Sequence, residues 1–426
     1  GDAHRQQRKM LNPAFSIQAI REMTHLMMIP GVQLRNSWMD QIMKNNEKNG
    51  NSNQPTEIIV SKGLSLATLD VIGEAGFGHS FESIKTADTP QQNKLSKAYM
   101  DIFDTKASLM RILQFFFPVL EYLPTQRNLD IKQDLKWLNE ESEKLIQDGL
   151  ERIKREERSN KENDDGKGDD TLYQQKKRSK DLLTLMSKEI DQETGSGMSI
   201  KELQNQCLTF LAAGHETTST SLSWTLWLLA KNPDIQEALR QEIEPLFQPM
   251  DFNHELFSNP SQVDHTQAKI EAKIPTYDEI NKLPLLNNVC KESLRLIPPV
   301  PVTNRLATKD DVVGPHFIPK GTVIFFSPMC NHHDEKVWGE DVLEFNPDRW
   351  NHAPAKNTTA YDYAPFLYPS PRTCIGNRFA MIEMKVLLCI LIKDLKFTEK
   401  EGFTPKQKQQ ITLRPSPNMT LLVEQV

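Results

Sequence analysis

The sequence predicts a mainly α protein with a few short strands. Three observations carry this. A helix-periodic run extends from Ser199 to about Lys231, and a second, "NRFAMIEMKVLLCILIKDL", starts at Asn377. Strand-like composition is confined to short pieces such as "FIPKGTVIFFSP", Phe317–Pro328, which reads as a strand hairpin. The chain has 426 residues, enough to bury a large core. Its 38% hydrophobic and 25% charged content is that of a soluble globular protein. A net charge of -6 without a basic stripe gives no reason to expect nucleic acid as a partner.

The first residues, "HRQQRKMLNPAFS", already read as the interior of a helix, and position 1 is Gly, so we expect more chain upstream. No window of about 20 residues is uniformly apolar. From Lys154 to Lys180 the chain carries 9 basic and 7 acidic residues and only Leu172 and Tyr173 as sizeable hydrophobes. Such a stretch buries too little to offset its ordering entropy, so 154–180 reads as a disordered insertion, with a charged helix possible for its first turn. Residues 248–275 mix Pro, Asn and Ser and read as a long loop with one short helix.

The long helix begins with a capping box, "SIKE", in which Ser199 is the N-cap and Glu202 answers it. "KNP" at Lys231–Pro233 ends it, giving a rod of roughly 48 Å. Its centre, "AAGHETTSTS", holds poor helix formers between apolar turns. Gly214 reads as a packing glycine, with a threonine bonding back to the preceding turn. His215 and Glu216 fit that reading badly, because a buried carboxylate is costly without partners. They suggest a locally opened turn that holds water and relays protons. Next, "KESLRLIPPVPVTNR" places Glu292 and Arg295 as i,i+3 neighbours among apolar residues, an internal ion pair that fixes geometry. "NHHDE" around His332 and His333 lacks the spacing of two metal ligands on one helical face and reads as a solvated turn.

The five cysteines are Cys207, Cys290, Cys330, Cys374 and Cys389. An odd number with no C-x-x-C pair suits a reducing compartment. Cys374 stands at the mouth of the second helical run, where the helix dipole and free N–H groups favour a thiolate. A thiolate there can be a nucleophile, a redox partner or a metal ligand.

"AGHETT", "ESLR", "FNPDRW" and "PRTCIG", in this order and at these distances, resemble the cytochrome P-450 haem-thiolate monooxygenases. The resemblance spans the chain and implies one haem domain over 1–426, starting at about helix C. A membrane anchor, helices A and B and most of the first sheet would lie upstream. It implies that Cys374 is the axial haem ligand, with Gly376 leaving space for N–H groups to reach the sulfur. Arg372, Arg305, Arg8 and His4 would meet the haem propionates. Glu216 and Thr217 would relay protons during oxygen activation, while Ala213 and Gly214 leave room for oxygen. Glu292, Arg295 and Arg349 resemble the family's structural triad. The implied partners are a small apolar substrate, molecular oxygen and an NADPH-dependent flavoprotein reductase, on the cytosolic face of the endoplasmic reticulum membrane. Other readings are an inactive fragment, a haem isomerase or dehydratase of the same fold, and a cysteine hydrolase. The cysteine loop departs from the family: with Phe366 one residue early, either one residue is inserted in the loop, or Leu367 stands in place of a Phe and Ser370 in place of a Gly. A Gly there serves a backbone conformation that Ser370 would adopt only with strain, which makes the loop a weak point for haem retention.

Overall fold

The Ser199 N–H donates to Glu202 Oε2 at 2.9 Å and the Glu202 N–H to Ser199 Oγ at 3.3 Å, so the capping box closes. From it an uninterrupted helix, Ile200–Lys231, runs through the polar centre of the computed structural model. The expected opened turn is absent from it. Ser221, Ser223 and Thr225 hydroxyls donate to the carbonyls of Thr217, Ser219 and Ser221, which lets a hydroxyl-rich helix stay buried without breaking its ladder. The structure describes residues 1–50, 54–87, 89, 123, 125–164, 181–189, 197–260, 263, 265–352 and 358–426.

Contacts group these residues into two compact units. The first comprises Gly1–Gln41, Lys62–Glu216 and Leu246–Asp278. The helix Ile17–Asn49 buries Ile20, Met23, Met27, Val32 and Trp38 from its first part in this unit. Trp38 lies against Gly63 of the helix Val60–Val71, where a Cβ would stand 2.8 Å from the indole. Only glycine admits that approach. The charged helix Gln126–Asp164 is tied down by Arg152, which pairs with the buried Asp181 at 2.6 Å. This helix continues to Asp164, so the first part of 154–180 is helical beyond its first turn, and 165–180 lies outside the described residues. Within 248–275 two short helices form, Glu255–Ser258 and His265–Glu271, where one was expected.

The second unit comprises Ile42–Ser61, Thr217–Pro245 and Glu279–Val426. Its largest sheet has three antiparallel strands, with Thr420–Gln425 between Thr56–Ile59 and Leu395–Glu399. The helix Asn377–Asp394 enters this sheet directly and is buried along Ile382–Ile392. Arg240 caps its exit, donating to the carbonyls of Ile392 at 2.9 Å and Leu395 at 3.0 Å. Glu242 caps the helix Pro284–Leu296 by accepting from the N–H groups of Leu285 and Leu286.

Phe317–Pro328 does supply strand residues, but not a hairpin with itself. His316–Ile318 pairs back with Asp311–Val313, and Val323–Phe326 pairs with Thr303–Leu306. Composition locates a strand, whereas its partner depends on which neighbour can satisfy its N–H groups. Among the described residues no helix is long and apolar enough to cross a membrane.

Candidate active site

The cysteine loop is built by hydrogen bonds that the local sequence makes to itself. The Cys374 N–H donates to the Phe366 carbonyl at 2.9 Å and the Thr373 N–H to the Ser370 carbonyl at 2.9 Å. Ser370 Oγ accepts from the Arg372 N–H at 3.0 Å, and Thr373 Oγ1 accepts from the Ser370 N–H at 3.1 Å. Gly376 is then the N-cap of the helix Asn377–Asp394. The strain expected at Ser370 falls elsewhere: the loop residue with left-handed backbone is Leu367, at φ 59°. Ser370 serves the loop through its hydroxyl and N–H, a short polar device for holding a turn.

Within the second unit, Cys374 lines a cavity of about 150 Å³. Leu294, Val300, Leu367 and Met384 supply apolar wall, Arg372 a guanidinium, and Thr217, Thr218 and Ser221 a row of hydroxyls. A planar macrocycle held through sulfur needs a cysteine, apolar walls and a cation for its carboxylates, and one cavity is lined by all three. Three of the other thiols are buried, whereas Cys374 and Cys330 are exposed. Burial pushes Cys207 and Cys290 up to about 12 and raises Cys389 well above its ordinary range, so these three stay protonated.

Glu383 was not singled out from the sequence, and it lies on the helix that Cys374 opens. Burial raises its carboxyl well above the ordinary carboxylate range, offset in part by the Thr218 hydroxyl nearby. Thr218 Oγ1 closes no hydrogen bond among the described residues, so the two groups are neighbours rather than a bonded pair. Burial thus favours the protonated form of Glu383 beside the cavity's hydroxyl row. A carboxylate amid the apolar run "FAMIEMKVLL" was the available signal.

Glu292, Arg295 and Arg349 come together in one buried network. Arg295 donates to Glu292 through Nε at 2.9 Å and Nη2 at 2.8 Å, and to the His332 and Val342 carbonyls at 2.9 and 2.7 Å. Arg349 Nε reaches Glu292 at 3.3 Å, and its Nη atoms hold Asp341 at 2.7 and 2.8 Å. Hydrogen bonds from Arg349 hold the Asp341 carboxyl below its usual range. Trp350 Nε1 and the Asn346 N–H complete the shell of Glu292 at 3.0 and 3.2 Å. His332 is not on a solvated turn. It is fully buried, with Nε2 accepting from the Ala364 N–H at 3.0 Å, because the network draws its carbonyl inward. Burial, with the charges of Arg295 and His333 acting in the same direction, pushes its imidazole down to about 3.

The remaining candidates fall as follows. Arg305 stands on the strand Thr303–Leu306, donates to the Asn304 carbonyl at 2.7 Å, and is not among the residues lining the Cys374 cavity. His4 and Arg8 lie on the first-unit helix Asp2–Leu11, where Arg8 Nε donates to Asn12 Oδ1 at 3.1 Å. Ala213, Gly214 and Glu216 end the first unit's share of the long helix, with Glu216 buried. A Cβ at Gly214 would meet Ile72 only at 3.5 Å, so packing within this unit does not demand glycine there. His215 is structural in its contacts, with Nε2 2.8 Å from Ser65 Oγ and its carbonyl accepting from Thr68.

Helices around a cysteine-bearing apolar cavity define a class of protein with a thiol placed at the mouth of a helix. The cytochrome P-450 family profile matches residues 1–423. Cytochrome P-450 monooxygenase 205 of Postia placenta is 32% identical, across 93% of this chain and 69% of its own length. Monooxygenase FUM15 of Gibberella moniliformis is 30% identical, across 93% and 67%, and monooxygenase claP of Ampulloclitocybe clavipes 31%, across 98% and 73%. The chain belongs to the cytochrome P-450 family, the haem-binding oxidoreductases that incorporate molecular oxygen.

His332 gives a pH dependence of stability. The unfolded imidazole takes up its proton near 6.5 and the folded one only at about 3, so stability is full above pH 6.5 and falls as pH drops between these values. The contribution is at most about 5 kcal/mol. Urea midpoints between pH 7 and 4 should fall steeply for the native chain. They should fall less for His332→Gln, which keeps an acceptor for Ala364, while His25, also pushed down to about 3, retains its share. Ser370→Gly should lower stability by about 1–2 kcal/mol in urea unfolding, because it deletes the acceptor for the Arg372 N–H and adds backbone entropy to the unfolded chain. A gain in stability would restore the view of Ser370 as strained.

Proposed function

We propose that the chain inserts one atom of molecular oxygen into a small apolar organic substrate, with electrons passed from NADPH through a flavoprotein reductase. The observation that carries this reading is the joint lining of one cavity by Cys374, Arg372, apolar side chains and the hydroxyls of Thr217, Thr218 and Ser221. Haem, when bound, supplies the redox chemistry that activates oxygen.

Cys374 Sγ would hold the cofactor as a thiolate, a form favoured by its place before the N-terminus of Asn377–Asp394. Gly376 leaves the sulfur accessible to backbone donors. Arg372 offers its guanidinium to a carboxylate of the cofactor, and Arg305 is the further candidate in this unit for that task. The apolar walls exclude water and select apolar substrates. Thr217 Oγ1 passes a proton inward, with the Glu216 carboxyl as its source, and Ala213 and Gly214 keep the helix face low. Glu292, Arg295 and Arg349 shape the scaffold and touch no reacting atom. Residues 1–426 on this reading make one haem domain, working at the cytosolic face of the endoplasmic reticulum membrane.

A cysteine hydrolase finds less support, since among the described residues no histidine lines the Cys374 cavity and such a nucleophile needs a base. The near alternative, a haem isomerase or dehydratase, has no use for a proton relay at Thr217.

Cys374→Ser should abolish the red-shifted Soret band of the reduced, carbon monoxide-bound protein, because a neutral hydroxyl cannot replace a thiolate donor. Loss of that band on replacing Cys330 instead would overturn the assignment. Thr217→Ala should keep the band and release more peroxide per NADPH consumed; unchanged coupling would remove Thr217 from the relay.

A further inference from the structure

The first unit contains a second cavity, of about 460 Å³, that the proposed reaction does not use. Its walls include Arg21 and His25 from the helix Ile17–Asn49, and Lys269, Lys273, Tyr277 and Asp278 from the segment opposite. We propose that this cavity binds a phosphate group that still carries a hydroxyl donor, as hydrogen phosphate or a hydroxyl-bearing phosphate ester does.

Charge favours an anion. Arg21 and Asp278 pair at 2.8 Å and neutralise each other, and Arg21 also lies 5.7 Å from the Tyr277 ring centre. That leaves Lys269 and Lys273 as two cations with no ion pair among the described residues. Two ammonium groups facing one concavity repel each other unless an anion lies between them.

His25 adds selectivity. It is only 8% exposed, and its Nε2 has no hydrogen-bond partner among the described residues. The ring's other contact is with the Glu22 carbonyl, which fixes the proton on Nδ1 and leaves Nε2 as a bare acceptor. The ring stays neutral because burial is reinforced by its charged and titratable neighbours, His265, whose ring centre is 5.9 Å away, and Lys269. His265 cannot serve as the donor to Nε2 through its own Nε2, which is engaged with the Pro260 carbonyl at 2.9 Å. An orphaned buried acceptor is costly, so a ligand that donates to it gains there. Hydrogen phosphate can present anionic oxygens to the lysines and P–O–H to Nε2. Sulfate has the same size and charge but no hydroxyl, so it satisfies the lysines alone.

The test is isothermal titration calorimetry on the haem-loaded chain at pH 7 and constant ionic strength, with inorganic phosphate and sulfate as probes. Phosphate should bind about tenfold or more tightly than sulfate, the worth of one charge-assisted hydrogen bond. Lys269→Ala should weaken both anions, by about tenfold for phosphate. His25→Phe should lower phosphate to the level of sulfate and leave sulfate unchanged, with the carbon monoxide band reporting an intact fold in each variant. If His25→Phe does not fold, Lys273→Ala, which should also weaken both, carries the test of location with Lys269→Ala. Inositol phosphate against vesicles bearing phosphatidylinositol phosphate separates the sources: Lys269-dependent binding of the free compound points to a metabolite, and of the vesicle alone to a headgroup. Equal phosphate and sulfate affinities, no binding, insensitivity to Lys269→Ala, or equal binding of phosphatidylserine vesicles or an acidic protein would overturn the proposal.

Discussion

A carboxylate removed from water must be surrounded by donors, and much of the second unit is arranged so that Glu292 is. Five donors converge on its two oxygens, from Arg295, Arg349, Trp350 and the Asn346 backbone. Two arginines against one carboxylate would leave a buried positive charge, and Asp341 on Arg349 balances it. The network reaches further because the arginines have donors to spare. They collect the carbonyls of His332, Trp338, Asp341, Val342 and Glu344, and in doing so hold together the irregular chain between the small sheets and the cysteine loop. Three of these carbonyls lie in irregular chain, and those of His332 and Trp338 end short helices. The ion cluster thus does for loops what a ladder of backbone bonds does for a sheet.

This has consequences for the cavity. His332 is fixed by Arg295 on its carbonyl side, and its ring receives the Ala364 N–H, two residues before Phe366. Phe366 in turn accepts from the Cys374 N–H. A continuous series of hydrogen bonds and adjacent residues therefore connects the buried carboxylate to the cysteine. At Glu292, Arg295 and His332 the series is fully buried, where such bonds are strong and their loss is costly. The orientation of Cys374 rests on this series as much as on its own helix. It also explains how the loop tolerates Leu367 and Ser370: the register of the cysteine is set from both sides.

The hydroxyl-rich helix solves a different difficulty. Thr217, Ser219 and Ser221 offer their carbonyls to hydroxyls one turn later, so the helix remains whole while carrying polar groups through an apolar interior. Thr225 uses its hydroxyl also to touch Ser293 at 2.6 Å, next to Glu292. Glu383, whose protonated form burial favours, lies near Thr218 at the edge of this polar seam.

The sequence by itself determined what depends on neighbours a few residues apart. The box at Ser199 and Glu202, the stop at Pro233, the pairing of Glu292 with Arg295 and the start of a helix after Cys374 were all legible for that reason, and the four motifs together were enough to indicate the family. Tertiary structure decided whatever required a distant partner. Phe317–Pro328 was legible as strand, yet its two halves pair with Asp311–Val313 and Thr303–Leu306, because pairing is settled by which edge is free. His332 looked solvated, since nothing local announces that Arg295 will draw in its carbonyl. The left-handed residue of the cysteine loop is Leu367 and not Ser370, a choice fixed by where Cys374 must return to meet Phe366. Local chemistry sets which conformations are cheap, and only the packed chain selects among them, by supplying or withholding the long-range partner for each buried polar group.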